Sequence, residues 1–321
     1  MRALTLEGGV YRVQEYADPK PAPHEVLVRV SHAGVNRADL LQKQGRYPLP
    51  KREPAIPGME ISGEVLACGK DVSDFKPGEK VCALLAEGAF AELAGVDARH
   101  VLPVPSQVTL AEAAALPEAC FTVWISLVWQ AHLAKGESVL IHGAASGIGS
   151  MAIQIARHLG ARVFATAGSP KKCALALKLG AERAIAYREE DYAASVLEAT
   201  DGKGVDVILD MVGGDYFERN LSCLAQGGRL AIIAFLKGAK VQANLAPILL
   251  KHLSVMGSTL RARPAEQKAQ LAMEIREGLW DPVAAGTIKP VLDRVFALEE
   301  AENALNRMDQ GLNIGKILLK M

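Results

Sequence analysis

The pattern of apolar and polar positions changes about a third of the way along the chain. Before residue 116, short stretches alternate apolar with polar residues, as in Glu25–Val35, where Val26, Val28 and Val30 share one face. Such alternation predicts half-buried strands, and further strands are predicted at residues 61–67, 80–85 and 90–94. Turn signals separate these stretches, and no helical pattern intervenes. The first 120 residues therefore predict a small β-barrel.

From residue 116 onward, short apolar runs alternate with stretches that carry apolar residues at helical spacing. Helices are predicted at 109–115 and 123–134, before the first of these runs. Strands are then predicted at 139–142, 162–167, 184–187, 205–210, 229–235 and 253–258, with helices at 151–159, 171–179, 192–200 and 216–224. Six strands with helical crossovers predict a doubly wound parallel sheet and hence an α/β fold.

The turn after the first strand of this sheet is rich in glycine, with Gly143, Gly147 and Gly149 close together. Glycines let the backbone approach a pyrophosphate, and the free N–H groups of the following helix face its negative charge. The spacing departs from G-x-G-x-x-G, and a glycine turn alone is also compatible with an ordinary connection between two elements. Its position favours a dinucleotide site formed by Ser146, Gly147, Ile148 and Gly149.

The second strand predicts which dinucleotide binds. An NAD site typically places Asp or Glu about 20 residues after the first glycine, yet no acidic residue occurs between Ala144 and Ala181. The strand leads instead to Ser169 and Lys172, which would attract a 2′-phosphate. The alternative is a solvated basic helix start, which the helix dipole disfavours. NADPH is therefore the predicted cofactor.

The ends of the later strands are expected to line the same site, because ligands bind outside the carboxyl ends of parallel strands. Tyr187 ends the third strand, Val212 follows the fourth and Phe235 follows the fifth. Tyr187 is placed to stack on the adenine or contact the phosphate. The alternative for Tyr187 is an ordinary aromatic residue at a strand end.

Two segments of the first region break its strand pattern and carry polar residues: Asn36, Asp39, Tyr47 and Glu60. We expect all four in loops at one end of the barrel. For Asn36 and Asp39, turn hydrogen bonding and helix capping explain the pattern equally well. For Tyr47 the alternative is surface packing beside Pro48 and Pro50.

Composition excludes several classes of partner. The 321 residues are 50% hydrophobic and carry 36 basic and 36 acidic side chains, so no charge bias favours nucleic acid or anionic lipid. There is no secretory pattern near Met1 and no uninterrupted apolar run of about 18 residues. Five scattered cysteines without C-x-x-C spacing argue against a disulfide framework or zinc knuckle. These features predict a cytoplasmic protein without nucleic-acid or membrane partners.

Four motifs in order resemble the medium-chain dehydrogenase/reductase superfamily, and specifically its zinc-free NADPH:quinone oxidoreductase (zeta-crystallin-like) branch. They are Gly34-Val-Asn36-Arg-Ala-Asp39, Pro57-Gly-Met-Glu60, Gly143-x-x-Ser146-Gly-Ile-Gly149 and Asn313-Ile-Gly-Lys316. The resemblance covers essentially the whole chain. It implies a GroES-like β-barrel catalytic domain at 1–120 and a Rossmann domain at 121–262. Residues 263–321 would return to complete the catalytic domain, with a helix at 298–305 and a closing strand at 316–320.

The resemblance also bears on metal chemistry. Asn36, Met59 and Glu118 match the Cys, His and Cys that hold catalytic zinc in the alcohol dehydrogenases of the superfamily. An amide, a thioether and a lone carboxylate do not form a zinc site, so no metal is expected. A quinone accepts hydride without such a metal.

The resemblance therefore implies hydride transfer from NADPH to a quinone, or a similar small electrophilic carbonyl, in the interdomain cleft. Asn36 and Tyr47 would be the catalytic hydrogen-bonding groups, and Thr122 and Asn313 would contact the cofactor. A second tyrosine of some relatives is replaced by Leu41, which leaves the proton donor open.

Other functions stay open at this point. The chain could be an NADPH-dependent enoyl or 2-alkenal reductase, or a non-catalytic NADPH-binding protein. Relatives are commonly homodimers, and residues 230–235 and 253–256 would form the paired strands at the sheet edge. The alternative is that both segments are buried within one sheet.

Overall fold

The computed structural model describes residues 1–48 and 55–321, which form two compact units. One unit contains Met1–Ala119 and Arg261–Met321, and the other contains Cys120–Leu260. The strands, numbered along the chain, are β1 (Arg2–Glu7), β2 (Val10–Glu15), β3 (Glu25–Val35), β4 (Glu60–Cys68), β5 (Lys80–Leu84), β6 (Leu93–Asp97), β7 (Val101–Pro103), β8 (Ser138–Ile141), β9 (Arg162–Ala167), β10 (Arg183–Ala186), β11 (Val205–Asp210), β12 (Leu224–Ile232), β13 (Ser254–Gly257), β14 (Leu292–Ala297) and β15 (Lys316–Lys320).

The helices are α1 (Arg37–Lys43), α2 (Leu110–Ala113), α3 (Pro117–Val123), α4 (Gly147–His158), α5 (Pro170–Leu179), α6 (Tyr192–Ala199), α7 (Tyr216–Cys223), α8 (Ala246–Leu250), α9 (Ala265–Ala284) and α10 (Ala301–Asp309). Single 3₁₀ turns occupy Ala98–His100 and Leu298–Glu300, and a π-helix occupies Trp124–Gln130.

β3 is the central strand of the first unit. Its buried valines alternate with more exposed residues as predicted, and β3 pairs antiparallel with β4, β6 and β15. The sheet order is β14-β15-β3-β4-β5-β7, with β6 also on β3. The predicted closing strand is confirmed as β15, whose Ile317 pairs with Val35. The C-terminal strand and the N-terminal strands thus form one sheet.

The predicted strand at 90–94 is wrong by about three residues, since the strand there is β6, Leu93–Asp97. Residues 90 and 91 instead run beside β1. The N–H of Leu4 donates to the carbonyl of Phe90 at 2.8 Å, and Ala91 forms an isolated bridge with Ala3. The Phe90 side chain is buried in the core of this unit.

The second unit has the predicted architecture. Its six strands are all parallel in the order β10-β9-β8-β11-β12-β13, which confirms the doubly wound sheet. β8 lies between β9 and β11, and each of its residues is buried, as expected of a central parallel strand. The turns after β8, β9, β10, β11 and β12 therefore meet at one edge of the sheet.

The helices before this sheet differ from the prediction. α3 begins at Pro117, a residue favoured in the first turn of a helix, and continues into the π-helix instead of leaving a gap at residues 116–122. The stretch Leu110–Gln130 is long and apolar enough to span a membrane, although 72% of its most apolar window is buried within the protein. Buried core helices meet the same criterion.

Candidate functional site

The glycine turn after β8 forms a close-fitting cradle at the start of α4. Ser146 caps the helix, and its Oγ accepts the N–H of Gly149 at 2.9 Å. A Cβ added to Gly149 would lie 2.2 Å from the carbonyl oxygen of Gly143, and one added to Gly143 would meet Met211. The backbone can pack this closely only without side chains, and the N–H groups of the first helical turn point outward. This arrangement fits a pyrophosphate.

The end of β9 carries polar groups suited to a second phosphate. Ser169 caps α5 by accepting the N–H of Lys172 at 3.4 Å, which leaves the Ser169 hydroxyl hydrogen available to donate. Lys172 is half-buried at the same helix start. The Tyr187 hydroxyl lies beside Gly168, where a Cβ would be 2.7 Å from it. A hydroxyl, an ammonium and a phenol thus surround the end of this strand.

The turns after β11 and β12 are tied together by backbone bonds. Asp210 is fully buried, and its carboxylate accepts the N–H of Val212 at 2.6 Å and that of Gly213 at 3.3 Å. The carbonyl of Val212 accepts the N–H of Lys237 at 2.8 Å. The Phe235 ring lies 2.8 Å from where a Cβ on Gly213 would be, and Phe235 is half exposed. Both turns are therefore fixed relative to each other.

A buried group behind these turns links three strand ends, and we call His142, Asn220 and Asp210 the histidine chain. His142 Nδ1 lies 2.9 Å from the hydroxyl of Thr166, and Nε2 lies 2.8 Å from Oδ1 of Asn220. Asn220 Nδ2 then donates to Asp210 at 3.2 Å. Burial lowers the pKa of His142, so its imidazole is neutral. The histidine chain thus fixes Asp210 without a buried cation.

The remaining predicted cofactor residues lie elsewhere. Thr122 is in α3, where its carbonyl accepts the hydroxyl of Ser126 at 2.8 Å. Asn313 belongs to the other unit, and its Nδ2 donates to the carbonyl of Gly315 at 2.9 Å. The residues that the structure brings to one sheet edge are Ser146, Gly147, Ile148, Gly149, Ser169, Lys172, Tyr187, Val212 and Phe235.

In the first unit a buried lysine organises the polar residues, and we call Lys316, Asn36, Glu60 and Glu118 the lysine cluster. Lys316 Nζ donates to Oδ1 of Asn36 at 2.6 Å, forms an ion pair with Glu60 and lies 3.8 Å from Glu118. Asn36 Nδ2 donates to Glu60 at 3.0 Å. Burial alone would lower the pKa of Lys316, but the carboxylates of Glu60 and Glu118 outweigh it and raise that pKa. The ammonium therefore stays charged.

The prediction that these polar residues lie in loops is wrong for two of the four. Asp39 lies inside α1 and Glu60 opens β4, whereas Asn36 lies between β3 and α1 as the residue that precedes the helix. The helix capping weighed for Asn36 and Asp39 is present, and the Asn36 side chain makes further contacts. The Asp39 carboxylate accepts the Asn36 N–H at 2.7 Å as a cap, while the Asn36 side chain joins the lysine cluster.

The pKa of the buried Asp39 carboxyl group is shifted by its surroundings. Burial raises its pKa to about 7, against the Asn36 N–H and the Lys316 ammonium, which lower it. Its Oδ1 atom is buried and has no hydrogen-bond partner within the described part of the chain. The carboxyl group is thus half-protonated near neutral pH.

Tyr47 is half-buried, outside any helix or strand, with Arg261 beside it. The Arg261 guanidinium lies 5.4 Å from the centroid of the Tyr47 ring. Burial raises the pKa of Tyr47, Arg261 lowers it, and the carboxylates of Glu118 and Asp39 raise it further. Of the two prolines weighed as packing partners, Pro48 is exposed next to Tyr47 and Pro50 lies outside the described residues.

The donor set at the expected metal position does not fit zinc. Asn36 and Glu118 both contact the Lys316 ammonium, and Met59 supplies only a buried thioether. Across residues 1–48 and 55–321, no three or more His, Cys, Asp or Glu side chains cluster in a way that could hold a metal ion. Zinc requires thiolate or imidazole ligands that these positions lack.

Sequence reasoning missed several of these groups, namely His142, Asn220, Asp210, Lys316 and Arg261. A signal existed for three of them. His142 and Asp210 each end an apolar run, and Lys316 interrupts the apolar stretch that closes the chain. Asn220 and Arg261 had no local signal, because their partners are distant in sequence.

Both parts of the chain match known protein families. Residues 22–106 match the alcohol dehydrogenase GroES-like domain family, and residues 147–275 match the zinc-binding dehydrogenase family. The chain is 38% identical to quinone oxidoreductase-like protein 2 of Bos taurus, over 96% of this chain and 89% of that protein.

Two solved structures are also similar. Quinone oxidoreductase of Escherichia coli, solved with NADPH, has 30% identity and a TM-score of 0.89, with 100% of this chain and 99% of that chain covered. CurK enoyl reductase has 28% identity and a TM-score of 0.87, with the same coverage. These matches confirm the predicted combination of a GroES-like domain and a dinucleotide-binding sheet.

Proposed function

Because the chain belongs to the quinone oxidoreductase branch of the medium-chain dehydrogenase/reductase superfamily of NAD(P)-dependent oxidoreductases, we propose that it is a zinc-independent NADPH:quinone oxidoreductase. The observation that carries this proposal is the donor set of the first unit. Where zinc dehydrogenases of the superfamily hold their metal, this chain has the lysine cluster, with the phenol of Tyr47 in the same unit. Such hydrogen-bond donors can stabilise, without a metal, the negative charge that develops on an acceptor oxygen when the acceptor takes up a hydride.

The cradle of the second unit supports NADPH as the cofactor. Ser146 and Gly149 would shape the cradle for its pyrophosphate, the N–H groups of Gly147 and Ile148 would donate to it, and Ser169 and Lys172 would hold its 2′-phosphate. Tyr187, Val212, Phe235, Thr122 and Asn313 would provide the remaining contacts. When bound, NADPH supplies the hydride.

A comparison of two lysines tests the cofactor preference. We expect kcat/KM to be at least about 10²-fold higher with NADPH than with NADH, and Lys172→Met to reduce this ratio by about tenfold, as loss of one charge-assisted contact implies. The neighbouring Lys171, which is exposed, is the matched control, and Lys171→Met should leave the ratio unchanged. A wild-type preference for NADH would refute the assignment of the cofactor.

Tyr47 and Asn36 are the proposed groups that act on the acceptor. Tyr47 would donate its phenolic proton to the acceptor oxygen. Asn36 Nδ2 donates to Glu60 at 3.0 Å and, over a longer 3.3 Å, to the carbonyl of Gly34. The longer bond is the weaker one, and a substrate oxygen would replace it.

Replacing Tyr47 tests the proton donor. Tyr47→Phe should lower kcat with a quinone by about 10²-fold, the usual contribution of general acid catalysis. Tyr16→Phe removes a phenol in the same unit whose hydroxyl donates to the nearby Gln14 side chain at 2.7 Å, and it should have no effect. Equal turnover by Tyr47→Phe and the wild type would remove Tyr47 from the reaction.

A panel of acceptors separates the proposal from its alternatives. The similarity to CurK enoyl reductase favours, as second candidate, an enoyl or 2-alkenal reductase. NADPH oxidation is measured with 1,2-naphthoquinone, 1,4-benzoquinone, trans-2-enals and crotonyl thioesters, each with and without a chelator. We expect the quinones to react fastest and the chelator to have no effect. Faster enal turnover would favour the second candidate, and NADPH binding without any turnover would favour a binding protein.

A homodimer is proposed from the edge of the second unit's sheet. β12 lies inside the sheet between β11 and β13, so the expectation that residues 230–235 form an edge is wrong. β13 is the terminal strand, and Leu249 and Leu250 beside it are 77% and 71% exposed. An apolar edge of this kind pairs readily with a second copy. Sedimentation should show a dimer, and Val255→Lys on β13 should shift it toward monomer.

A cytoplasmic location is the last part of the proposal. Cys68, Cys173 and Cys223 carry free thiols, and Cys82, Cys120, Cys173 and Cys223 are buried. Free thiols are typical of a reducing compartment. Cell fractionation tests this directly, and recovery from a membrane or secreted fraction would contradict it.

A further inference from the structure

Arg261 is held in one place by three groups of the same unit. Its Nη1 donates to the carbonyl of Pro48 at 2.8 Å, and its Nη2 lies 3.6 Å from Oε2 of Glu87. The backbone carbonyl of Arg261 accepts Nζ of Lys268 at 2.8 Å. The side chain is only 12% exposed. Because contacts hold both the guanidinium and the backbone of Arg261, the side chain keeps a defined geometry toward its neighbours.

The neighbour with chemical importance is Tyr47. The Arg261 guanidinium lies 5.4 Å from the centroid of its ring, within the range of a cation–π contact. Among the described residues, the carboxylates of Glu118 and Asp39 also act on the Tyr47 hydroxyl, and both disfavour a tyrosinate. Arg261 opposes them by its charge and by hydrogen bonding. Within residues 1–48 and 55–321, Arg261 thus favours loss of the proton from Tyr47.

We propose that Arg261 is a positioning residue that makes Tyr47 an effective proton donor in the reduction of the acceptor. This inference rests on the proposed function. In the step concerned, the acceptor takes the hydride with its electron pair, and the O–H bond of Tyr47 breaks as a new O–H bond forms on the acceptor oxygen. The negative charge left on the Tyr47 oxygen is balanced by the adjacent guanidinium. Water then returns a proton to Tyr47.

Arginine is suited to this role for reasons of shape. A guanidinium is planar, stays charged across the physiological range and can contact an aromatic face while it donates hydrogen bonds at its edge. In this structure Nη1 and Nη2 face Pro48 and Glu87, while the guanidinium lies 5.4 Å from the centroid of the Tyr47 ring. A lysine at position 261 would keep the charge and lose the planar geometry.

The pKa of Tyr47 can be measured independently of activity. 3-Fluorotyrosine is introduced at position 47, and its ¹⁹F chemical shift is followed against pH in the otherwise native protein and in Arg261→Met. We expect Arg261→Met to raise the pKa of this phenol by about 1, as loss of an adjacent cation implies, and Arg261→Lys to restore part of the difference. Arg294 is the matched control, because its guanidinium lies 5.7 Å from the centroid of the Phe296 ring, which has no hydroxyl. Arg294→Met should leave the pKa of position 47 unchanged.

Kinetics then test whether the pair acts as a unit. Arg261→Met should lower kcat with a quinone by about tenfold and change KM little, and it should cause no further loss in a Tyr47→Phe background. An unchanged pKa at position 47, or an additional tenfold loss in that background, would overturn the proposal. If the pKa shifts but the wild type reduces no quinone, the proposed function fails and the role of Arg261 in that reaction fails with it, while the coupling of the two side chains is established.

Discussion

The lysine cluster and the histidine chain each hold a buried carboxylate, but they do so with different partners. The carboxylate belongs to Glu60 in one unit and to Asp210 in the other. Glu60 is balanced by the Lys316 ammonium, and this cluster joins residues that are far apart in sequence, since Lys316 and Asn36 are 280 positions apart. Asp210 is held by neighbouring backbone N–H groups and by the Asn220 amide, backed by neutral His142.

The two groups differ in whether a cation lies beside the buried carboxylate. The ion pair keeps the Lys316 ammonium beside the Asn36 amide in the buried site, and under the proposed function these groups would donate hydrogen bonds where negative charge develops on an acceptor oxygen. The histidine chain adds no cation behind the cradle, so the helix N-terminus and Lys172 would supply the electrostatic attraction for phosphates. The stability of the lysine cluster should therefore depend on each of its charges. The stability of the histidine chain should depend on the match between its hydrogen-bond donors and acceptors.

The largest effect is expected from Lys316→Met. It leaves Glu60 buried without its cation and should lower the free energy of unfolding by about 3–5 kcal/mol in urea denaturation. Lys320→Met, on the same strand but exposed, is the control and should have little effect. Adding Glu60→Gln to Lys316→Met should recover much of the loss. A loss equal to that of Lys320→Met would show that the cluster carries no ionic stabilisation.

The pH dependence of stability should come next in size. The pKa of Asp39 is raised to about 7, so the folded protein binds a proton that the unfolded chain has released, and stability falls as pH rises through 7. Between pH 5 and pH 8 this group should cost on the order of 3 kcal/mol. Asp39→Asn should remove most of that dependence in urea denaturation at the two pH values. An unchanged pH dependence would place the titrating group elsewhere.

Gly149→Ala tests the cradle of the second unit. The new Cβ would collide with the carbonyl oxygen of Gly143, so stability should fall by about 2 kcal/mol and the Kd for NADPH, measured by fluorescence titration, should rise at least tenfold. Gly257→Ala is the control, because the nearest atom to its Cβ is 3.9 Å away. Identical behaviour of the two variants would argue against a close-packed cradle.

The smallest effect is expected in the histidine chain. Asp210→Asn turns one acceptor into a donor that faces Nδ2 of Asn220, which should cost about 1–2 kcal/mol and weaken NADPH binding severalfold. Combining it with Asn220→Asp restores a donor opposite an acceptor and should recover affinity, which a thermal shift assay with NADPH would show. Failure of the double variant to recover would mean that the charge on Asp210, not its hydrogen bonding, is what matters.

The second unit could be predicted well because its information is local. In the strand Ser138–Ile141 the residues from Val139 onward are apolar, the glycine turn follows and the helix comes next. Strand, turn and helix are therefore all encoded within 21 residues of sequence from 138 to 158. The prediction of strand 90–94 failed for the converse reason. Phe90 is apolar enough for a strand, but its contacts with Leu4 on β1 decide its conformation.

The amino-acid sequence was enough to predict the α/β class, the succession of six strands along the chain, the glycine cradle with Ser169 and Lys172 beyond it, and the family resemblance, because each depends on motifs of residues close together in the chain. Which polar residues of the first unit meet became visible only in the folded structure. Lys316 reaches Asn36 across 280 positions, and Arg261 reaches Pro48 across 213. Burial then changes the pKa values of these groups, because a charge removed from water depends on the few polar partners that remain around it. No pattern along the chain identifies those partners.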